Sequence, residues 1–217
     1  MDLVFPLSLT FVSFIIALVP YYYPNRLVYL VSALASSTSL SFSLQLLLEL
    51  SPYFKPYLQF ISTFNIPVGH DYVNLIGFGI PLAVSLYLAT KTEIDKLDVT
   101  LLSSLLLIPT VALILFELGL IPYIPELLVF KNYVGYSPDV FLVLAFSYTL
   151  YRKANPCKLA YIEMFIAGVY GDMVGFILSG SRLIAGGLGF LDGDFLLPLI
   201  FSLELKLLKK FIANRQE

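Results

Sequence analysis

Long, uninterrupted apolar stretches constrain this chain more than any other feature. Windows 3–20, 27–48, 72–90, 100–122, 134–151, 159–180 and 190–208 each approach the ~20 residues that a bilayer-spanning helix needs. Hydrophobic residues make up 59% of the 217 residues and charged residues 13%. Soluble domains carry roughly a quarter charged residues, so a soluble fold could not cover its surface with this composition. The mean hydropathy of +0.87 agrees. The expectation is an all-α, polytopic transmembrane helix bundle of about seven spans, forming one integral membrane domain over residues 1–217. Gly135 and Pro138 sit at the start of the fifth window, and a six-span bundle follows if that segment is re-entrant.

Charge sorts with this count. With seven spans, one side holds Arg26, Lys91, Lys96, Arg152, Lys153, Lys158, Lys206, Lys209, Lys210 and Arg215, and the other holds Lys55, Lys131 and Arg182. The basic side should be cytoplasmic, which puts the N-terminus out and the C-terminus in, in a multi-pass protein of the cell membrane. The first window lacks the basic flank and small-residue cleavage site of a signal peptide and reads as a retained span. A net charge of −2 gives no reason to expect nucleic acid. Tyr21, Tyr22, Tyr23, Tyr53, Tyr57, Tyr123, Tyr133, Tyr136 and Tyr151 fall at span ends, as an interfacial aromatic belt requires. Cys157 is the single cysteine, so neither a disulfide within the chain nor a cysteine metal cluster can form. No metal or other cofactor is expected, since His70 is the only histidine and no phosphate-binding glycine loop occurs.

An ionisable side chain inside a bilayer costs on the order of 3 kcal/mol and is a functional candidate by default. Glu49, Glu117, Glu126 and Glu163 lie close enough to span ends to reach water. Asp172 does not: it lies thirteen residues into AYIEMFIAGVYGDMVGFILSG, beside Gly168, Gly171 and Gly175, whose spacing makes a small face for close helix contact. Asp192 and Asp194 stand in GGLGFLDGDFLLPLIF, just as the last apolar run begins. Residues two apart point to different helix faces, so only one of them meets a given partner if the backbone is helical there. Asp192 can also cap the last helix. Gly186, Gly187 and Gly189 let the backbone turn sharply; a helix starting near residue 190 would require that stretch to dip into the protein to bring the acids to Asp172's depth. Two carboxyls that meet there would share a proton, one activating water and one donating to the substrate. Arg182 would be their counter-ion. The serines and threonine of window 32–43 pack closely or line a polar cavity.

These elements resemble the domain of unknown function 1614, a family of polytopic prokaryotic membrane proteins. That family has a Gly/Ala–Asp element in one span and Gly-Gly-x-Gly-x-x-Asp-Gly-x-Phe-Leu leading into the next. Here these are VYGDM (169–173) and Gly186, Gly187, Gly189, Asp192, Gly193, Phe195 and Leu196. The resemblance implies a related fold and carries no activity. More distantly, the segment is similar to the presenilin and signal-peptide-peptidase type of intramembrane aspartyl protease, which pairs Tyr–Asp with Gly-x-Gly-Asp. Here Gly171 separates Tyr170 from Asp172, Leu191 replaces the first glycine of the second element, and the Pro-Ala-Leu element is absent. The resemblance implies a catalytic pair of Asp172 with Asp192 or Asp194; Tyr170, Gly171, Gly186, Gly187, Gly189, Gly193 and Arg182 are the expected supporting residues. The leading expectation is peptide hydrolysis between the last two spans. A proton- or cation-coupled transporter using the same acids, and a non-catalytic scaffold, are the alternatives. Membrane lipids, with a membrane peptide or a small solute, are the expected partners.

Overall fold

The computed structural model describes residues 3–23, 25–120, 150, 153, 156–179 and 184–213. It is mostly helical, with a small sheet. The helices are α1 (Val4–Tyr22), α2 (Arg26–Glu49), α3 (Phe54–Ser62), α4 (Ile80–Ala89), α5 (Lys96–Glu117), α6 (Cys157–Ser179) and α7 (Gly193–Ala213). Helices occupy most of every expected window except 134–151, of which only residue 150 is among the described residues. α1 and α2 are long and apolar enough to cross a membrane, with mean hydropathies of 2.0 and 1.5.

Local chemistry sets the helix starts. The Asn25 side chain accepts a 2.8 Å bond from the Leu27 amide and caps α2. Asp95 and Asp98 form a reciprocal box, each carboxylate accepting from the other's amide at 2.8 and 3.0 Å. That box starts α5 at Lys96, four residues before its expected window.

The all-α expectation is corrected at residues 65–74 and 184–185. β1 (Asn65–Val68) and β2 (Asp71–Asn74) form an antiparallel hairpin turning at Gly69, whose φ is 65°. β3 (Ile184–Ala185) adds in parallel to β2, with Tyr72 opposite Ile184 and Val73 opposite Ala185. The third window therefore opens as a strand, passes through a π-helical turn over Leu75–Gly79, and becomes α4 only at Ile80. Asn74, fully buried, drives that change. Its side-chain oxygen accepts from the Ile76 and Gly77 amides at 3.0 Å, and its NH2 donates to the Ile61 carbonyl and the Asn65 side chain.

The core lies between α2, α6 and α7, around Leu30, Leu34, Leu159, Met164, Phe201 and Leu205. α1 packs chiefly on α2 and turns Phe11, Phe14 and Leu18 outward. The hydroxyl stripe of α2 is packed, not open. Ser36 donates to Glu204 of α7, Ser37 to the Ala33 carbonyl, and Ser43 to the Pro6 carbonyl at 2.6 Å.

Candidate functional site

The site forms where α6 and α7 cross. Asp194 occupies the first turn of α7 and is 3% exposed. Its Oδ1 lies directly against α6: a Cβ built on Gly168 would stand 2.3 Å from that oxygen. No side chain fits between the two, so Gly168 is the seat that admits the carboxylate. Asp172 is four residues further along α6, one helical turn or about 6 Å of axis beyond Gly168. Its carboxylate lies outside what is described.

α6 continues for eleven residues past Gly168, about 16 Å of axis. The chain then returns to Gly168's level before α7 begins. The loop before α7 therefore folds back along α6, and glycine permits the close approach. A Cβ on Gly77 would meet the Gly186 carbonyl oxygen at 2.1 Å, and a Cβ on Gly186 would meet the Phe78 nitrogen at 2.4 Å. The two backbones cross in contact, and Gly186 also has φ of 70°, in the left-handed region. Gly189 sits on Ile61, Gly187 lies near Ile184, and Gly193 faces Gln45. Two polar side chains tie the descending loop: Tyr57 donates its hydroxyl to the Leu188 carbonyl at 2.6 Å, and Gln45 its amide to the Leu191 carbonyl at 3.0 Å. Burial pushes the Tyr57 hydroxyl's pKa above its ordinary value. Tyr57 thus holds the site as well as standing at a helix end.

Asp192 sits at the foot of this loop. Its Oδ1 accepts from the Asp194 amide and its Oδ2 from the Leu188 amide, both at 3.0 Å. Its backbone carbonyl accepts from Phe195 and Leu196. Asp192 is therefore the N-cap of α7, and both of its oxygens are engaged by backbone. Arg182 lies outside the described residues. Tyr170 is partly buried and, with Phe78, Leu82, Phe165, Val169 and Met173, lines an open apolar groove of about 230 Å³ between α4 and α6.

Sequence reasoning missed a second group at the opposite end of α6. Asp98 is 2% exposed and forms a 2.5 Å ion pair with Lys153. Lys153 also reaches Asp95 and the Glu93 carbonyl, each at 3.3 Å, and the Asp98 contact raises its ammonium pKa. Glu163, expected at the water interface, is instead 2% exposed and shares with Asp98 the wall of a cavity of about 180 Å³ between α5 and α6. α5 covers it, which no property of its own helix signals. Glu204, unremarked in the sequence, takes the Ser36 bond. The Asp95–Asp98 spacing at a helix start was legible, but a partner 55 residues later was not. Among the described residues, no group of three or more His, Cys, Asp or Glu is placed to hold a metal. No protein-family model, curated protein or solved structure matches the chain.

Proposed function

We propose that this is a multi-pass protein of the cell membrane, of about seven spans with the N-terminus outside, and that Asp172 and Asp194 form its working acid pair. The observation that carries the reading is the Asp194 carboxylate resting on Gly168, one turn from Asp172. Asp192 is engaged by two amides, which leaves Asp194 as the partner. The reaction class is aspartyl-dyad hydrolysis of a peptide bond in an apolar segment. The ionised carboxylate takes a proton from water as the water oxygen adds to the peptide carbonyl carbon. The protonated carboxyl delivers its proton to the carbonyl oxygen. Collapse then breaks the C–N bond, and the nitrogen leaves with a proton from the pair. The apolar groove beside Tyr170 and Met173 suits an extended apolar chain.

One observation favours a second reading, proton- or cation-coupled transport. Two elements, the π-turn at Leu75 and α7 at Gly193, start from irregular backbone packed inside the protein, as the interrupted helices of transporters do.

The test uses purified protein in lipid vesicles with a dye-quenched Leu/Ala peptide of about 20 residues carrying a central Gly-Pro. Hydrolysis predicts cleavage that Asp172→Asn and Asp194→Asn each reduce ~10²–10⁴-fold. Cleavage that survives both substitutions sinks the hydrolytic reading. Proton entry into dye-loaded vesicles, abolished by either substitution while the peptide stays intact, establishes transport instead.

A further inference from the structure

An ordinary N-cap needs one acceptor, and Asn, Asp and Ser serve about equally well. Asp192 does more. One oxygen holds the amide of Asp194, two residues ahead, and the other holds the amide of Leu188, four residues behind. Only a carboxylate accepts on both sides, because an Asn in the same place would turn an NH2 donor toward one of the two amides. The clamp binds the last turn of the descending loop and the first turn of α7 into one unit. That unit is anchored by Tyr57 at the Leu188 carbonyl and by Gln45 at the Leu191 carbonyl. At its end stands Asp194, with a short side chain and a 3% exposed carboxyl against Gly168. The position of that carboxyl is thus set by the backbone at 194, and the Asp192 carboxylate fixes the backbone there.

We infer that Asp192 is a positioning residue, a two-sided clamp that seats the Asp194 carboxyl on Gly168 and takes no part in proton exchange itself. This inference rests on the reading of Asp194 as a working acid. It explains why two acids stand one residue apart: the first holds the second in place.

The experiment compares wild type, Asp192→Asn, Asp192→Ala and Asp172→Asn in lipid vesicles with two readouts. One is the pH dependence of dicyclohexylcarbodiimide labelling at Asp194, an apolar reagent that takes protonated carboxyls, mapped by mass spectrometry. The other is hydrogen exchange at the amides of Leu188 and Asp194. Asp192→Ala is expected to speed exchange at both amides about tenfold, the worth of one hydrogen bond each. Asp192→Asn speeds one of the two, since it keeps one acceptor. Both variants move the labelling midpoint of Asp194, Ala further than Asn. If Asp192→Ala leaves exchange and midpoint at wild-type values, whatever it does to the melting temperature, the clamp is overturned. If instead Asp172→Asn alone leaves the midpoint in place, the acid pair fails while the clamp stands. Should wild-type Asp194 take no label at any pH, the working-acid reading falls. Exchange at the two amides then decides whether the clamp exists.

Discussion

The start of α6 and the joints around its middle are built on opposite principles. At its start, long charged side chains span gaps between elements: Lys153 to Asp95, Asp98 and the Glu93 carbonyl, Lys158 to the Lys91 carbonyl, and Arg26 to the Lys153 carbonyl. At its middle a carboxylate rests on backbone, Asp194 against Gly168, and in the loop leading to α7 backbone rests on backbone, at Gly77 against Gly186. Long chains have spare rotamers and tolerate displacement. A glycine contact has no slack, because the first atom added already overlaps its neighbour. Geometry that must be accurate belongs at the glycine joints, and the acids proposed to work are found beside them.

Substitutions that challenge this contrast should fall in a definite order. The largest loss is expected from Gly186→Ala, which meets both a left-handed φ and a backbone nitrogen. Its cost should be at least ~3 kcal/mol, seen as a collapsed melting temperature or as no monodisperse protein. A mild effect there would show that the crossing can open, and would remove the rigidity attributed to that joint.

Next comes Lys153→Met, which removes the ion pair from the buried Asp98 carboxylate and should cost about 1–3 kcal/mol. Its pH dependence has a fixed sign. The ammonium pKa is raised by Asp98, so the pair's contribution is intact below the ordinary lysine value and disappears as pH rises past the raised one. The stability gap between wild type and Lys153→Met should therefore hold from neutral pH to ~10 and close above it. A gap that closes near neutrality would mean the latch answers to another group.

Gly168→Ala comes third in stability and first in function. The obstructing atom is a side-chain oxygen able to swing aside, so about 1–2 kcal/mol is expected. Turnover of the proposed reaction should nevertheless fall by about 10²-fold through displacement of the acid. Equal activity in wild type and Gly168→Ala would detach Asp194 from the chemistry. The smallest effect should be Gln45→Leu, which loses one bond to the Leu191 carbonyl and should cost about 1 kcal/mol in thermal unfolding.

The apolar windows were legible because hydrophobic length is a local property. α1 and α2 lie within two residues of the apolar windows 3–20 and 27–48. The glycine cluster was legible as backbone needing room. What it crosses was not, since Gly77 lies more than a hundred residues earlier. The sheet was hidden for the same reason: β3 is two residues long and has no strand signal of its own. Asp192 was legible as a possible cap of the last helix, and Asp194 only as a residue pointing to another face. What the cap reaches back to, Leu188, and what Asp194 is seated on, Gly168, were not legible, because both are tertiary contacts. Glu163 was misread because depth alone was weighed, whereas α5 lies over it.

The parallel pairing of β2 with β3 also sets a schedule for biogenesis. Tyr72 and Val73 emerge from the ribosome about 110 residues before Ile184 and Ala185, their neighbours in the sheet. At ~5–20 residues per second, that leaves the outer edge of β2 and the face of Gly77 uncovered for on the order of ten seconds. α4 cannot take its final seat in that interval, because the strand and the glycine loop that complete it do not yet exist. The edge of β2 gains its neighbouring strand only when Ile184 and Ala185 have been made, so this part of the fold is completed late in synthesis.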